Sequence, residues 1–362
     1  MTRGNIVLAA LAAIQVVLII VIGGGNDAVS EGASTGGNVR LFRNLDAATV
    51  SEITIQNKSE KVAVKRDGDQ WTLTNRGGYP ARASKVTDTI DALRKLYTLG
   101  VLTNDVKRFT DLEVADDRYH LRISLKHGDE TADFYLGERG SDKLVYREAG
   151  GDVALHASGV KSWDLDATTA SWVDSQYTNL EQDDVRRLNI TRKDGTPLEL
   201  VAKETTKKAE TTEPPKDGDP KPAEITEITW HAIVDGKEQP ADKAKVTSML
   251  SSLCKLYMAE PIGKDTKPEH GLDAPSATAT LTLKDDQTIT LTVGAKRDAE
   301  NDWYFKASTS EYVVTIRDYT VTDFFQKKVA DVLPEKKDDP EKKDDPNKTG
   351  APPKKNGEGG KK

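Results

Sequence analysis

The sequence predicts an α+β fold made twice: two tandem duplicated domains, each of antiparallel strands plus one main helix and a closing short helix, after an N-terminal transmembrane helix. Three observations carry this expectation. The stretch "WTLTNRGGYPARASKVTDTIDALRKLY" at residues 71–97 is echoed by "WHAIVDGKEQPADKAKVTSMLSSLCKLY" at residues 230–257. Short runs of alternating apolar and polar residues flank both copies, as half-buried strands do. One long apolar run, "IVLAALAAIQVVLIIVI", occupies residues 6–22 near the N-terminus.

That run holds Gln15 as its single strongly polar residue and ends in Gly23, Gly24 and Gly25. At about 17 residues it stands at the lower edge of a bilayer span. A cleaved signal peptide is the alternative, with an apolar core of about 7 to 15 residues and a small-residue cleavage site. The length and the poor site at "GNDA" favour an uncleaved anchor over residues 1–25. Arg3 precedes the run and the next basic residue is Arg40, so the charge bias keeps the N-terminus cytoplasmic. The expected location is the cytoplasmic membrane, single-pass, with the bulk of the chain extracytoplasmic or periplasmic.

Residues 26–45 are rich in Gly and small polar residues and read as a flexible tether. The first repeat domain follows at 46–178. Its strands are "VSEITIQ", "KVAVKR" and "QWTLTN", with Asp67 and Gly68 turning between the last two. Next comes a helix whose apolar stripe is Val86, Thr89, Ile90, Leu93, Leu96 and Tyr97. After it stand "YHLRISLK", "TADFYLG", "KLVYRE" and "VALH", and the closing helical stretch "VKSWDLDATTASWVD".

The second domain, 179–333, repeats this order with "RRLNITR", "LELVA" and "ITEITWHAI", a helix striped by Val246, Met249, Leu250, Leu253, Leu256 and Tyr257, then "ATATLTLK", "TITLTVG", "WYFKA", "YVVTI" and "DYTVTDFFQKKVADVL". Lys85, Val86, Leu93, Lys95, Leu96 and Tyr97 match Lys245, Val246, Leu253, Lys255, Leu256 and Tyr257 at a constant offset. Pro80 and Pro240 precede the helices, with Ser84 and Asp242 as expected caps. A disordered insertion is expected at 203–224, in place of the short turn of the first copy, and a disordered charged tail at 334–362, where "PEKKDDP" recurs. Trp71 and Trp230 are expected to pack beneath the helical stripes of two separate interiors. Contact between the domains is not expected, since such interfaces are usually modest and mobile.

The composition narrows the function classes. Formal charge is −7 over 362 residues with the signs interleaved, so no basic face suggests nucleic acid. The five histidines, His120, His127, His156, His231 and His270, share no HxH, HxxxH or HExxH spacing, and no metal is expected. Neither a Walker-type GxxxxGK loop nor a GxGxxG loop occurs. Asp116–Asp117, Asp183–Asp184 and Asp285–Asp286 read as turn residues, as do the double glycines of "RGGYP" and "REAGGD". The single cysteine, Cys254, lies on the second helical stripe and reads as a small packing residue. No catalytic, cofactor-binding or metal-binding residue, and no cofactor, is assigned.

Trp71, the step Tyr79-Pro80-Ala81, Val86, Leu93, Leu96 and the closing Leu136-Gly137 form a pattern that resembles the domain of unknown function 4340 family, across roughly residues 50–333. In the second copy Gln239 stands in place of the tyrosine. The resemblance implies a single-pass membrane protein found beside components of ABC-type transport systems, including those related to gliding motility, with no catalytic residues to carry over. The expected function is a membrane-tethered, non-enzymatic accessory or interaction protein at the extracytoplasmic face, its protein partner an ABC-type permease or auxiliary subunit. Two alternatives stand beside it: a module binding envelope polysaccharide through exposed aromatics, and a hydrolase built on distant carboxylates.

Overall fold

A computed structural model describes residues 38–139, 143–193, 195, 197–208 and 224–335. The expected anchor, most of the tether, the centre of the insertion and nearly all of the tail lie outside these residues. Among the described residues no helix is long and apolar enough to cross a membrane.

The first half contains β1 (Val39–Arg40), β2 (Val50–Gln56), β3 (Lys61–Asp67), β4 (Gln70–Leu73), β5 (Tyr79–Pro80), helix α1 (Ala83–Lys95), β6 (Tyr97–Thr103), β7 (Leu121–His127), β8 (Glu130–Glu138), β9 (Leu144–Glu148) and β10 (Ala154–Ser158). The second contains β11 (Val185–Arg192), β12 (Leu198–Lys208), β13 (Glu224–Val234), β14 (Lys237–Pro240), helix α2 (Lys243–Cys254), β15 (Glu260–Gly263), β16 (Ala277–Leu283), β17 (Thr288–Arg297), β18 (Asp302–Ala307) and β19 (Val313–Arg317). The architecture is thus mostly antiparallel strand with few helices, arranged as two sheets.

Strand order is β1-β6-β10-β9-β8-β7-β2-β3-β4-β5 in the first sheet and β14-β13-β12-β11-β16-β17-β18-β19-β15 in the second. Read from opposite ends and with β1 set aside, the two orders are the same. The tandem repeat in sequence is therefore a repeat of topology. Alternation explains the ladders: Ile53 and Ile55 on β2, like Leu188 and Ile190 on β11, are buried and belong to the core cluster that also holds the stripes of α1 and α2.

Equivalent backbone contacts recur in both copies. Ala81 N–H donates to the Trp71 carbonyl at 2.7 Å and Ala241 N–H to the Trp230 carbonyl at 2.9 Å. Arg82 N–H donates to the Trp172 carbonyl at 2.7 Å and Asp242 N–H to the Val332 carbonyl at 2.8 Å, which ties each main helix to its closing turn. Trp71 and Trp230 are 8% and 7% exposed and belong to the core, under α1 and α2.

Several expectations change. Asp242 caps α2 by accepting from Lys245 N–H at 3.0 Å, but Ser84 lies inside α1. The N-cap there is Arg82, whose side chain makes no cap bond and instead reaches the Val173 carbonyl at 2.6 Å. The insertion is shorter than its composition suggests: β12 runs to Lys208 and β13 starts at Glu224, paired in register, because a ladder satisfies backbone groups that threonine-rich chain would otherwise leave to water. The closing helices are broken into short turns, Ser162–Asp164 with Thr169–Trp172, and Asp318–Thr320, Val321–Phe325 and Val329–Val332. The interiors are not separate either, since buried apolar side chains of both halves form one connected cluster.

Candidate interaction surface

The halves meet head to tail. The turn Thr74–Arg76 and the following Gly77 of the first half abut β15 of the second so closely that a Cβ on Gly77 would stand 2.7 Å from Gly263 Cα. Gly77 has φ +60 as well, so this double glycine serves a close approach and a turn together. The Tyr79 and Tyr312 rings stack edge-on with centroids 4.8 Å apart, and Tyr312 Oη donates to the Gly78 carbonyl at 2.8 Å. Tyr177 Oη, from the linker, donates to the Tyr312 carbonyl at 2.6 Å. Burial, followed by nearby Tyr177, Asp174 and Tyr312, pushes the Tyr79 phenol up to about 12.

Charge closes the rim of this seam. Arg297 holds Asp302 with two 2.7 Å bonds and Glu260 at 3.0 Å, and Glu260 also faces Arg76 at 3.6 Å across the halves. The linker is pinned as well: Tyr177 N–H donates to the Leu256 carbonyl at 2.8 Å, Leu180 N–H to that of Cys254 at 3.0 Å, and Met258 N–H to that of Ser175 at 2.8 Å. Contact between the halves, unexpected from sequence, is extensive.

The histidines and acidic pairs do not converge. His120 faces Glu138 at 3.4 Å, His127 faces Glu130 at 3.5 Å, and His270 stacks on Tyr304 while its Nδ1 accepts from Lys267 N–H at 3.2 Å. Among the described residues no group of three His, Cys, Asp or Glu could hold a metal. Asp184 pairs with Lys284 at 2.7 Å, and Asp285 accepts from Gln287 N–H in the β16–β17 turn. Asp116 pairs with the buried Arg147 guanidinium, whose hydrogen bond holds that carboxyl below its ordinary range. Arg147 also donates to the carbonyls of Val114 at 2.6 Å and Gly151 at 2.8 Å and lies between the rings of Phe109 and Tyr135, fastening residues 104–120 to the sheet. Cys254 is fully buried and its thiol is pushed up to about 11 by burial. The letters of a GxSxG elbow do occur, as "GASTG" at residues 32–36, outside the described residues and without the strand and helix signals the motif needs around it.

What the duplicated core leaves over is a strand edge. Val39, Leu99, Val101 and Val106 are 45%, 60%, 67% and 60% exposed, on β1, on β6 and just beyond it. β1 pairs with β6 only through Val39↔Thr98 and Arg40↔Tyr97, and the apolar residues after Thr98 lie past the end of that pairing. In the topological repeat β6 is the counterpart of β15, the strand against which the first half docks onto the second. No sequence pattern marked it, because Leu99, Gly100 and Val101 are exposed in succession instead of alternating.

A family described as Domain of unknown function (DUF4340) matches residues 71–236 and again 230–337, each match opening at or beside a core tryptophan. Neither a curated protein nor a solved structure matches the chain significantly.

Proposed function

This chain belongs to the DUF4340 family, and on that premise we propose that it is a membrane-tethered, non-enzymatic interaction protein that receives a partner protein on the open edge of β6. One observation carries the reading: β6 is the duplicate of the edge that already accepts a folded body at the internal seam, and here the same edge is apolar and, among the described residues, open. A second copy of the chain fits poorly. The counterparts of the seam residues Tyr79 and Tyr312 are Gln239 and Val153, which can form neither the ring pair nor its hydrogen bond.

The position suits a partner in or near the membrane. About 16 residues separate Ile22 from Val39, and a Gly-rich chain of that length reaches roughly 20 Å. An anchor at residues 6–22 would therefore hold the β6 edge close to the bilayer, where an ABC-type permease or its auxiliary subunit is the partner that the family resemblance implies. The duplication supports the non-enzymatic part, since the residues the copies share fill the core.

The test is photo-crosslinking in membranes of the full chain. A crosslinker placed at Leu99 or Val101 is expected to give a discrete heavier adduct, identified by mass spectrometry, and one at Thr282 on the second sheet none. The pair Leu99→Asp and Val101→Asp should abolish co-purification of that partner. Equal labelling from both positions, or recovery of this chain alone, would overturn the proposal.

A further inference from the structure

Of the five tryptophans, Trp71, Trp172 and Trp230 are buried, and Trp303 is half-buried with its Nε1 donating to Asp318 at 2.7 Å. Trp163 alone is exposed, at 57%, so no row of aromatics crosses a sheet. It stands on the wall of an open cleft of about 580 Å³, between the turn after β2 and the closing turn Ser162–Asp164. A cleft of this size accommodates a small ligand. The buried Leu165 and Ala167 also line it, and its polar wall is Asn57, Ser59, Glu113 and His120.

The second half supplies an internal control. The ends of β10 and β19, Ser158 and Arg317, and the carbonyls of Trp172 and Val332 that accept from the helix N-caps set the offset between the halves at 159 to 160 positions, so Trp163 corresponds to Thr322 or Asp323, both exposed. By the register of β2 and β11, Asn57 corresponds to Arg192, which spans that place in the second half by donating to the Lys327 carbonyl. In the first half the bridging arginine is replaced by a short amide, and a short polar side chain by a large ring. Packing does not call for this exchange, since the same frame closes with Arg192 and a short exposed side chain.

Asn57 Oδ1 is used by its own turn, accepting from Ser59 and Glu60 N–H at 2.8 and 2.7 Å, while its Nδ2 has no protein partner among the described residues. Glu113 occupies the left-handed region at φ 55, an uncommon backbone state for a residue other than glycine. Lys161 Nζ lies 4.9 Å from the Trp163 ring centroid. Lys58 and Lys161 offset Glu113 and Asp166, so the cleft has no dominant sign of charge to favour an ionic polymer.

We propose that this cleft binds a neutral saccharide, with one pyranose ring stacked on Trp163 and its hydroxyl rim meeting Asn57, Ser59 and Glu113. A pyranose presents an apolar face of C–H groups bounded by hydroxyls that both donate and accept, which matches an indole face beside an unpaired amide and a carboxylate. A peptide would call instead for a free strand edge or a deeper apolar groove, and the cleft offers neither.

The test is ¹⁹F NMR on the full chain labelled with 5-fluorotryptophan, titrated with cellobiose and with N,N′-diacetylchitobiose up to about 20 mM, a range that captures weak binding. One resonance, assigned through Trp163→Phe, is expected to shift saturably while the other four stay in place. Trp163→Ala should weaken binding about tenfold or more, and Asn57→Arg, which installs the second-half bridge, should abolish it, with thermal unfolding unchanged in both. No shift with either sugar, binding that survives Trp163→Ala, or saturation by an aromatic peptide where the sugars fail would overturn the proposal.

Discussion

Gly137 on β8 and Gly294 on β17 stand at equivalent places, and each is where a long connection crosses the strand. An added Cβ would meet the Leu112 carbonyl oxygen at 1.9 Å from Gly137 and the His270 carbonyl oxygen at 2.0 Å from Gly294. Carbon and oxygen in ordinary contact stay more than about 3 Å apart, so Gly137→Ala or Gly294→Ala forces two backbone segments apart by roughly an ångström. Overpacking costs about 1–3 kcal/mol, and because a backbone carbonyl cannot rotate away, about 3 kcal/mol is expected at each site. For a unit of this size that lowers the melting temperature by roughly 6–12 °C. The assay is thermal and urea unfolding of the full chain, followed by tryptophan fluorescence. Gly128→Ala is the control: φ is +56 with open space around it, so only the left-handed penalty of about 1–2 kcal/mol applies. If either strand-crossing variant loses less than the control, the crossing geometry and the duplicated packing inferred from it are wrong.

Alkaline pH should loosen the seam. The Tyr79 phenol is raised above its unfolded value near 10, to about 12, so its contribution is intact below pH 10 and is lost as pH rises from 10 through 12. Tyrosinate absorbance with limited proteolysis of the linker reads this out, and an unchanged alkaline midpoint in Tyr79→Phe would refute it. Cys254, fully buried with its thiol pushed up to about 11, should resist a disulfide reagent at pH 8 until the chain unfolds. Prompt labelling of the native protein would place that helix face in solvent.

The sequence announced the parts of this fold that depend on short-range periodicity. Both helical stripes, the paired strands around them and the two tryptophans were readable because burial on one face imposes a repeat of 2 or 3.6 residues. The family's Leu-Gly step was readable as a pattern, but its cause was not: Gly137 is required by a carbonyl 25 positions earlier in the chain. The edge strands β5, β6, β14 and β15 escaped notice, being short or, in β6, lacking alternation. The seam left no local trace, since Gly78 and Tyr312 lie 234 positions apart and the run "YVVTI" marks Tyr312 only as the start of a strand. Threonine-rich chain beyond Lys203 was misread because polar composition hid its ladder to β13.

Duplication separates structural residues from the rest without any alignment of relatives. Positions the halves share answer to packing: Trp71 with Trp230, Gly137 with Gly294, and Lys85 with Lys245, whose amines reach the carbonyls of Asp164 and Leu333 at 3.4 and 3.1 Å. Positions they do not share need another cause, because the common frame tolerates either residue. Tyr79 and Tyr312 against Gln239 and Val153 have such a cause in the seam, an interface that exists once per molecule. The open β6 edge against the occupied β15, and Trp163 with Asn57 against Thr322 or Asp323 with Arg192, have none among the described residues. Each exposes apolar or aromatic surface where its counterpart is covered or polar, which costs solubility and gains the fold nothing. Such surface is explained by something outside the chain that covers it, a folded partner along the edge and a small ligand in the cleft.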